Sequence, residues 1–262
     1  MELIVDGNKV FAATGGKTFD RQKPTVIFLH GAGFDRTAWL LQSRWFAHHG
    51  RSVLAVDLPG HGRSEGSPLA SVADMADWTC RLIDEVGVSR PALVGHSLGA
   101  LVALETAARR PDGVRALGLL GVAVEMPVHP EMLESAAANT GKVRELMTFW
   151  GLGRPMQQGT APMPGLWLTR SSLALLGAAR PGVIHRDLAA CNSYAGALEA
   201  ARRVTCPTAF VLGDSDLMTP PAKARPLIDA IGDKRVTILP QCGHFMMSEQ
   251  PDRTLAALQA VL

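Results

Sequence analysis

Residues 92–104 read A-L-V-G-H-S-L-G-A-L-V-A-L, with Ser97 at the centre. A short aliphatic run stops at Gly95, and a helix-forming run starts at Leu98. Only a very sharp turn fits between them. In that setting G-x-S-x-G forms a nucleophile elbow, a strained strand-to-helix turn that pushes the serine hydroxyl out above a sheet. Gly95 and Gly99 lack Cβ atoms, so strand and helix can approach closely around the turn. The same five-residue pattern recurs as Gly62-Arg63-Ser64-Glu65-Gly66, inside L-P-G-H-G-R-S-E-G-S-P. No strand pattern runs into that copy and no helix pattern leaves it. Pro59, Gly60 and Pro68 mark it as loop. Context therefore selects Ser97 and rejects Ser64 as a nucleophile.

Outward from the elbow, short apolar runs alternate with helical patterns. Residues 2–5 and 9–13 alternate around Asp6-Gly7-Asn8 and predict a hairpin. The runs at 25–30, 52–57, 114–120, 208–212 and 235–239 predict strands, the first two buried on both faces as in a parallel sheet. Helical patterns occupy 36–48, 71–86 with Ser71 as N-cap, 221–231 and 251–262. Strand–helix alternation implies parallel pairing with right-handed crossovers. From 125 to 190 the texture changes to Pro, Gly, Met and Trp, with short helices near 130–139, 141–150 and 168–180 and no clear strand. The expected organisation is an α/β core over 1–124 and 191–262, interrupted by a helical insertion over 125–190.

The 262 residues suit one large α/β domain with such an insertion. Hydrophobic residues make up 47%, enough for a sizeable core. Net charge is +2, with no basic stripe for nucleic acid or an anionic membrane. Cys80, Cys191, Cys206 and Cys242 are dispersed without paired spacing, which reads as free thiols in a reducing compartment. The N-terminus lacks a basic n-region and an apolar h-region, and no stretch reaches the ~18 apolar residues of a membrane span. A cytoplasmic protein is expected. Its oligomeric state is left open, a homo-oligomer included.

A serine hydroxyl needs a base within reach, and the base needs an orienting carboxylate. V-L-G-D-S-D-L-M-T-P places Asp214 and Asp216 just past a predicted strand, and Q-C-G-H-F places His244 past the last one. Loops at the carboxyl ends of parallel strands are where ligands bind in open α/β sheets. The helix after Ser97 offers the Leu98 N–H, assisted by the helix dipole, to an oxyanion. His30 reads as a hydrogen-bonding residue of its own loop, His61 as ordering its Gly-rich loop, and His96 as shaping a pocket. His48, His49, His129 and His185 read as surface residues, and their spacing makes no zinc site.

Together these motifs resemble the α/β-hydrolase superfamily, in its serine esterase type with a helical cap. The segments that carry the likeness are L-H-G-A-G-F (29–34), D-L-P-G-H-G-R-S (57–64), V-G-H-S-L-G-A (94–100), V-L-G-D-S-D-L-M-T-P (211–220) and G-H-F (243–245). The resemblance implies a mostly parallel sheet with helices on both faces. It implies a Ser97–Asp216–His244 set, with Asp216 as the acid of G-x-x-D-x-x-x-P. Asp214 then serves the loop, and Glu125 stands as a third candidate acid. By likeness to H-G-x-x motifs, the Ala32 N–H is the second oxyanion donor. His96, Met126, Met147, Trp150, Trp167, Met218 and Phe245 are expected around an apolar substrate pocket, with Met132, Met156 and Met163 in the same insertion.

The expected activity is cofactor-independent, metal-free hydrolysis of a small to medium, largely apolar carboxylic ester or lactone. Relatives use the same constellation for carbon–carbon bond hydrolysis and for cofactor-free haloperoxidase or perhydrolase chemistry. A small-molecule receptor with slow hydrolysis is the reading from another class.

Overall fold

The computed structural model describes residues 1–160 and 165–262. Strands β1 (Glu2–Val5) and β2 (Asn8–Ala13) form the N-terminal hairpin. They are followed by β3 (Thr25–Leu29), helix α1 (Leu40–His48), β4 (Ser52–Val56), α2 (Val72–Val86), β5 (Ala92–His96), α3 (Leu98–Arg109) and β6 (Ala116–Leu120). The inserted segment carries α4 (Pro130–Ala137), α5 (Gly141–Gly151), α6 (Arg154–Gln157), α7 (Leu168–Gly177) and α8 (Val183–Ser193). Then come α9 (Ala197–Arg203), β7 (Thr208–Gly213), α10 (Pro221–Ala230), β8 (Lys234–Leu239), α11 (Met246–Glu249) and α12 (Pro251–Gln259).

The strands make one sheet in the order β1-β2-β4-β3-β5-β6-β7-β8. β1, β2 and β4 pair antiparallel in succession, and every pair from β4 through β3 to β8 is parallel. Residues of β3, β4, β5, β6 and β7 are buried throughout, which is why they read as unbroken apolar runs rather than alternating ones. β8 closes the sheet as an edge and is largely uncovered. α2, α3, α9 and α10 pack in succession in one layer, and α1 packs with α12. The sheet is thus covered by helices on both faces. All five parallel pairings aim their carboxyl ends at the same edge, where the elbow and the loops after β3, β6, β7 and β8 gather.

Local signals explain the helix ends. Ser71 caps α2 by accepting the Asp74 N–H at 3.1 Å, and Gly87 ends the helix at φ +68°. The helix expected from residue 36 starts instead with a 3-10 turn, Arg36–Trp39, because the Asp35 carboxylate accepts the Thr37 N–H at 2.8 Å. α6, α8, α9 and α11 lie outside the sequence-based expectation: three are short, and α8 has no side-chain cap to announce it. α8 runs through residue 190, so the insertion does not end there at an element boundary.

Candidate active site

Ser97 stands between β5 and α3 at φ +53°, a left-handed conformation rare for a side-chain-bearing residue. Its N–H donates to the Leu120 carbonyl at 2.9 Å, which pins the turn to β6. The two flanking glycines have no room to be anything else. A Cβ on Gly95 would overlap the Gly99 carbonyl, and one on Gly99 would overlap the Leu29 carbonyl of β3. Ser64, the other serine in a glycine frame, is buried in a structural role. Its hydroxyl donates to the Asp57 carbonyl at 2.7 Å and accepts the Phe11 N–H at 2.9 Å.

His244, on the loop after β8, lies with Nδ1 2.7 Å from Asp216 Oδ2. In the neutral ring, donation from Nδ1 leaves Nε2 as the nitrogen that can accept a proton. Asp216 also accepts the N–H groups of Met218 and Thr219 on Oδ1, both at 2.8 Å, and the Thr219 hydroxyl on Oδ2 at 2.7 Å. Burial pushes the Asp216 carboxyl up, but the His244 charge and these donors outweigh it and hold the group down to about 2. Asp214 and Glu125, the alternative acids, are exposed on the surface.

The backbone of His244 is fastened twice. Its N–H donates to the Gly151 carbonyl at the end of α5, and its carbonyl accepts His96 Nε2–H at 2.8 Å. Glu249 fixes the same loop. Its buried carboxylate accepts the N–H groups of Gly153, Gly243 and Phe245 at 2.9, 3.0 and 3.1 Å. Neither Thr219 nor Glu249 carries a motif signal, because what makes them important is a loop geometry that only folding creates.

Donors for an oxyanion stand in the loop after β3 and at the start of α3. Leu98 is the first residue of α3, whose leading N–H groups have no intrahelical acceptor. Among the described residues the Ala32 N–H has no hydrogen-bond acceptor either. Its neighbours are engaged: the Gly33 N–H donates to Asp187 Oδ2 at 2.8 Å and the Phe34 N–H to the Gly31 carbonyl at 3.1 Å.

Ser97, His244 and Ala32 line one cavity of about 350 Å³, within the size range of small-molecule sites. His96, Met126, Met147, Trp150, Met218 and Phe245 line it too, as does Met132. Trp167 does not: it precedes α7, off the face formed by Leu168, Thr169, Ser172 and Leu176, and is 57% exposed. Met156 is buried away from the cavity, and Met163 lies outside the described residues. Phe34, Leu188 and Lys223 line it without having been expected. His129, read as a surface residue, lines it as well, edge-on to the Trp150 ring at 5.3 Å.

His30 and His61 take no part in that lining. His30 donates from Nδ1 to the Gly31 carbonyl and accepts the Leu58 N–H on Nε2. His48 and His49 are exposed. Among the described residues no group of three or more His, Cys, Asp or Glu side chains could hold a metal ion, and no helix is long and apolar enough to cross a membrane.

Comparison with known proteins places this arrangement. A pimeloyl-[acyl-carrier protein] methyl ester esterase of Chromobacterium violaceum is 31% identical over 87% of this chain and 91% of that protein. The dihydrolipoyllysine-residue acetyltransferase component of an acetoin cleaving system from Cupriavidus necator is 38% identical over 44% of this chain. The match covers only 30% of that longer protein, and for the first relatives in general the aligned stretch spans less than half their length. The crystal structure of an enol-lactonase from Burkholderia xenovorans LB400 superposes with a TM-score of 0.87 at 18% identity, covering 100% of this chain and 99% of that one. The model of the alpha/beta hydrolase family matches residues 26–257. The chain belongs to the alpha/beta hydrolase family.

Proposed function

We propose that this protein is a serine hydrolase that cleaves a small to medium, largely apolar carboxylic ester or lactone through an acyl-enzyme. The observation that carries the reading is the shared cavity: Ser97, the Asp216-bound His244 and the unengaged Ala32 N–H all border it. The Ser97 hydroxyl attacks the acyl carbon and passes its proton to His244 Nε2. The oxyanion that forms is held by the Ala32 and Leu98 N–H groups. Asp216 stabilises the imidazolium, which then protonates the leaving alkoxide. Water, activated by the same histidine, hydrolyses the acyl-enzyme. The esterase and the lactonase that this chain is similar to support this class of substrate.

The segment over 125–190 serves as the cap that roofs the site, through Met126 before its first helix and Met147 and Trp150 on α5. Four free cysteines, three of them buried, support a reducing, cytoplasmic setting. Turnover of short and medium nitrophenyl esters and of lactones tests the function. Sustained turnover that falls by about 10³-fold or more in Ser97→Ala is expected. Full activity in Ser97→Ala would refute the mechanism, and a single acylation without turnover would point to a receptor.

A further inference from the structure

The cap reaches down to the oxyanion loop through one wholly buried carboxylate. Asp187 on α8 places Oδ2 2.8 Å from the Gly33 nitrogen and 2.8 Å from His61 Nε2. These partners lie 154 and 126 residues away in sequence, in the loops after β3 and β4. Arg180, just before α8, donates to the Gly62 and Ser64 carbonyls at 3.2 and 2.9 Å, so the same part of the cap grips the His61 loop twice. Gly33 lies hard against α8: a Cβ there would stand 2.8 Å from Ile184 Cγ1.

The bonding fixes the charge state of the pair. His61 Nδ1 is 3.0 Å from the Pro59 carbonyl while Nε2 faces Asp187. Both ring nitrogens face acceptors, so each carries a proton and the ring is an imidazolium. Asp187 receives both donors on Oδ2, and its Oδ1 is buried without a hydrogen-bond partner among the described residues.

The geometry also says what is being held. Residues 31–34 form a turn closed by the Phe34 N–H on the Gly31 carbonyl, with Gly33 at φ +68° as in a type II turn. The N–H that Asp187 takes belongs to the central peptide of that turn, the one joining Ala32 to Gly33. Holding this plane fixes the path of the loop that carries the Ala32 N–H.

We propose that Asp187 is a positioning residue for the oxyanion loop, reaching in from the cap, and that its pairing with His61 makes the positioning sensitive to pH. The oxyanion role rests on the ester-hydrolase reading of Ser97; the latch itself does not. The groups around His61 are Asp187 and Arg180 from the cap, Asp35 on the loop after β3, Asp57 with its partner Arg36, and His30 with its ring 4.8 Å away. Burial and the His61 cation hold His30 down to about 4, so it stays neutral. Burial also pushes His61 down, but the Asp187 charge and hydrogen bond outweigh it and raise the group above the ordinary histidine value. A raised histidine contributes its stabilisation fully below the unfolded-state value and loses it as pH rises through the folded-state one. The latch is therefore closed below the ordinary histidine value and loosens as pH rises through the raised folded-state one.

Two readouts test this. Amide hydrogen exchange at Gly33, followed by NMR, needs no substrate and should quicken by about 10-fold or more in Asp187→Ala. Steady-state kinetics on the best nitrophenyl ester should show kcat down by at least about 10-fold in Asp187→Ala and Asp187→Asn, with KM within about twofold, well below each variant's Tm. Wild-type kcat should fall reversibly as pH rises through the folded-state value of His61, and that fall should be absent in His61→Gln. If Asp187→Ala does not fold, Asp187→Asn and His61→Gln carry the test. Wild-type kcat and an unchanged pH profile in folded Asp187→Asn would overturn the positioning role, and unchanged Gly33 exchange would overturn the latch. A wild-type protein that turns over no ester would defeat the ester reading and the oxyanion role with it, while the exchange result still decides the latch.

Discussion

Asp216 illustrates how far a single residue could be read. The resemblance to G-x-x-D-x-x-x-P separated it from Asp214 two positions earlier; Asp214 and Glu125 are exposed, whereas Asp216 is buried against His244. Thr219 was invisible by contrast. Its hydroxyl donates to Asp216 Oδ2 and lies 3.1 Å from His244 Nδ1, a contact that depends on how the loop after β7 curls. The two residues should differ in weight. Asp216→Asn removes the charge that stabilises the imidazolium and should lower kcat by ~10⁴-fold with the fold retained. Thr219→Val deletes one hydrogen bond to a charged acceptor, about 1.5–3 kcal/mol at most, and should cost on the order of 10-fold or somewhat more. Pre-steady-state acylation rates at one pH would rank them. Equal losses would show that Thr219 orients the carboxylate rather than merely supporting it.

At the scale of elements, the elbow is the feature that sequence reasoning handled best. Its glycines are required by backbone atoms, not by flexible side chains, so the sequence pattern and the steric need coincide. Gly95→Ala should therefore lose more than ~4 kcal/mol of stability, read by urea unfolding, or fail to fold. The apolar strands were legible for a related reason: burial on both faces confines polar residues to the strand ends, as at Thr25, Ser52, His96 and Thr208. α6, α8 and α11 were not legible. Their helicity comes from packing between the cap and the loops, not from caps or a long amphipathic stripe. Glu249 on α11 shows the consequence, since three backbone N–H groups from two separate loops converge on its carboxylate. Each of those groups would be buried without an acceptor if the side chain were lost.

For the whole molecule, the cap decides what reaches Ser97. Trp150 lines the cavity and Trp167, seventeen residues on, points to solvent, although both read alike as bulky residues of the insertion. Trp150→Ala should enlarge the cavity and shift the preferred acyl group to a longer or bulkier one, seen as a changed order of kcat/KM across an ester series. Each methylene newly accommodated is worth about 0.8 kcal/mol, roughly fourfold in kcat/KM. Trp167→Ala should leave that order as it is. A shift in the second variant, or none in the first, would place the acyl group outside the cavity described.

The sequence by itself determined the sheet-based fold and singled out Ser97 as candidate nucleophile, with Asp216 and His244 as candidate partners. These rest on local chemistry: a turn only glycines permit, buried strands apolar in their interiors, and acid and base past strand ends. Tertiary structure alone decided which cap residues face the cavity, that Thr219 and Glu249 support the histidine loop, and that Asp187 meets Gly33 and His61. Those contacts join residues far apart in the chain. Their partners are chosen by how the cap packs onto the core, and no local pattern encodes that choice.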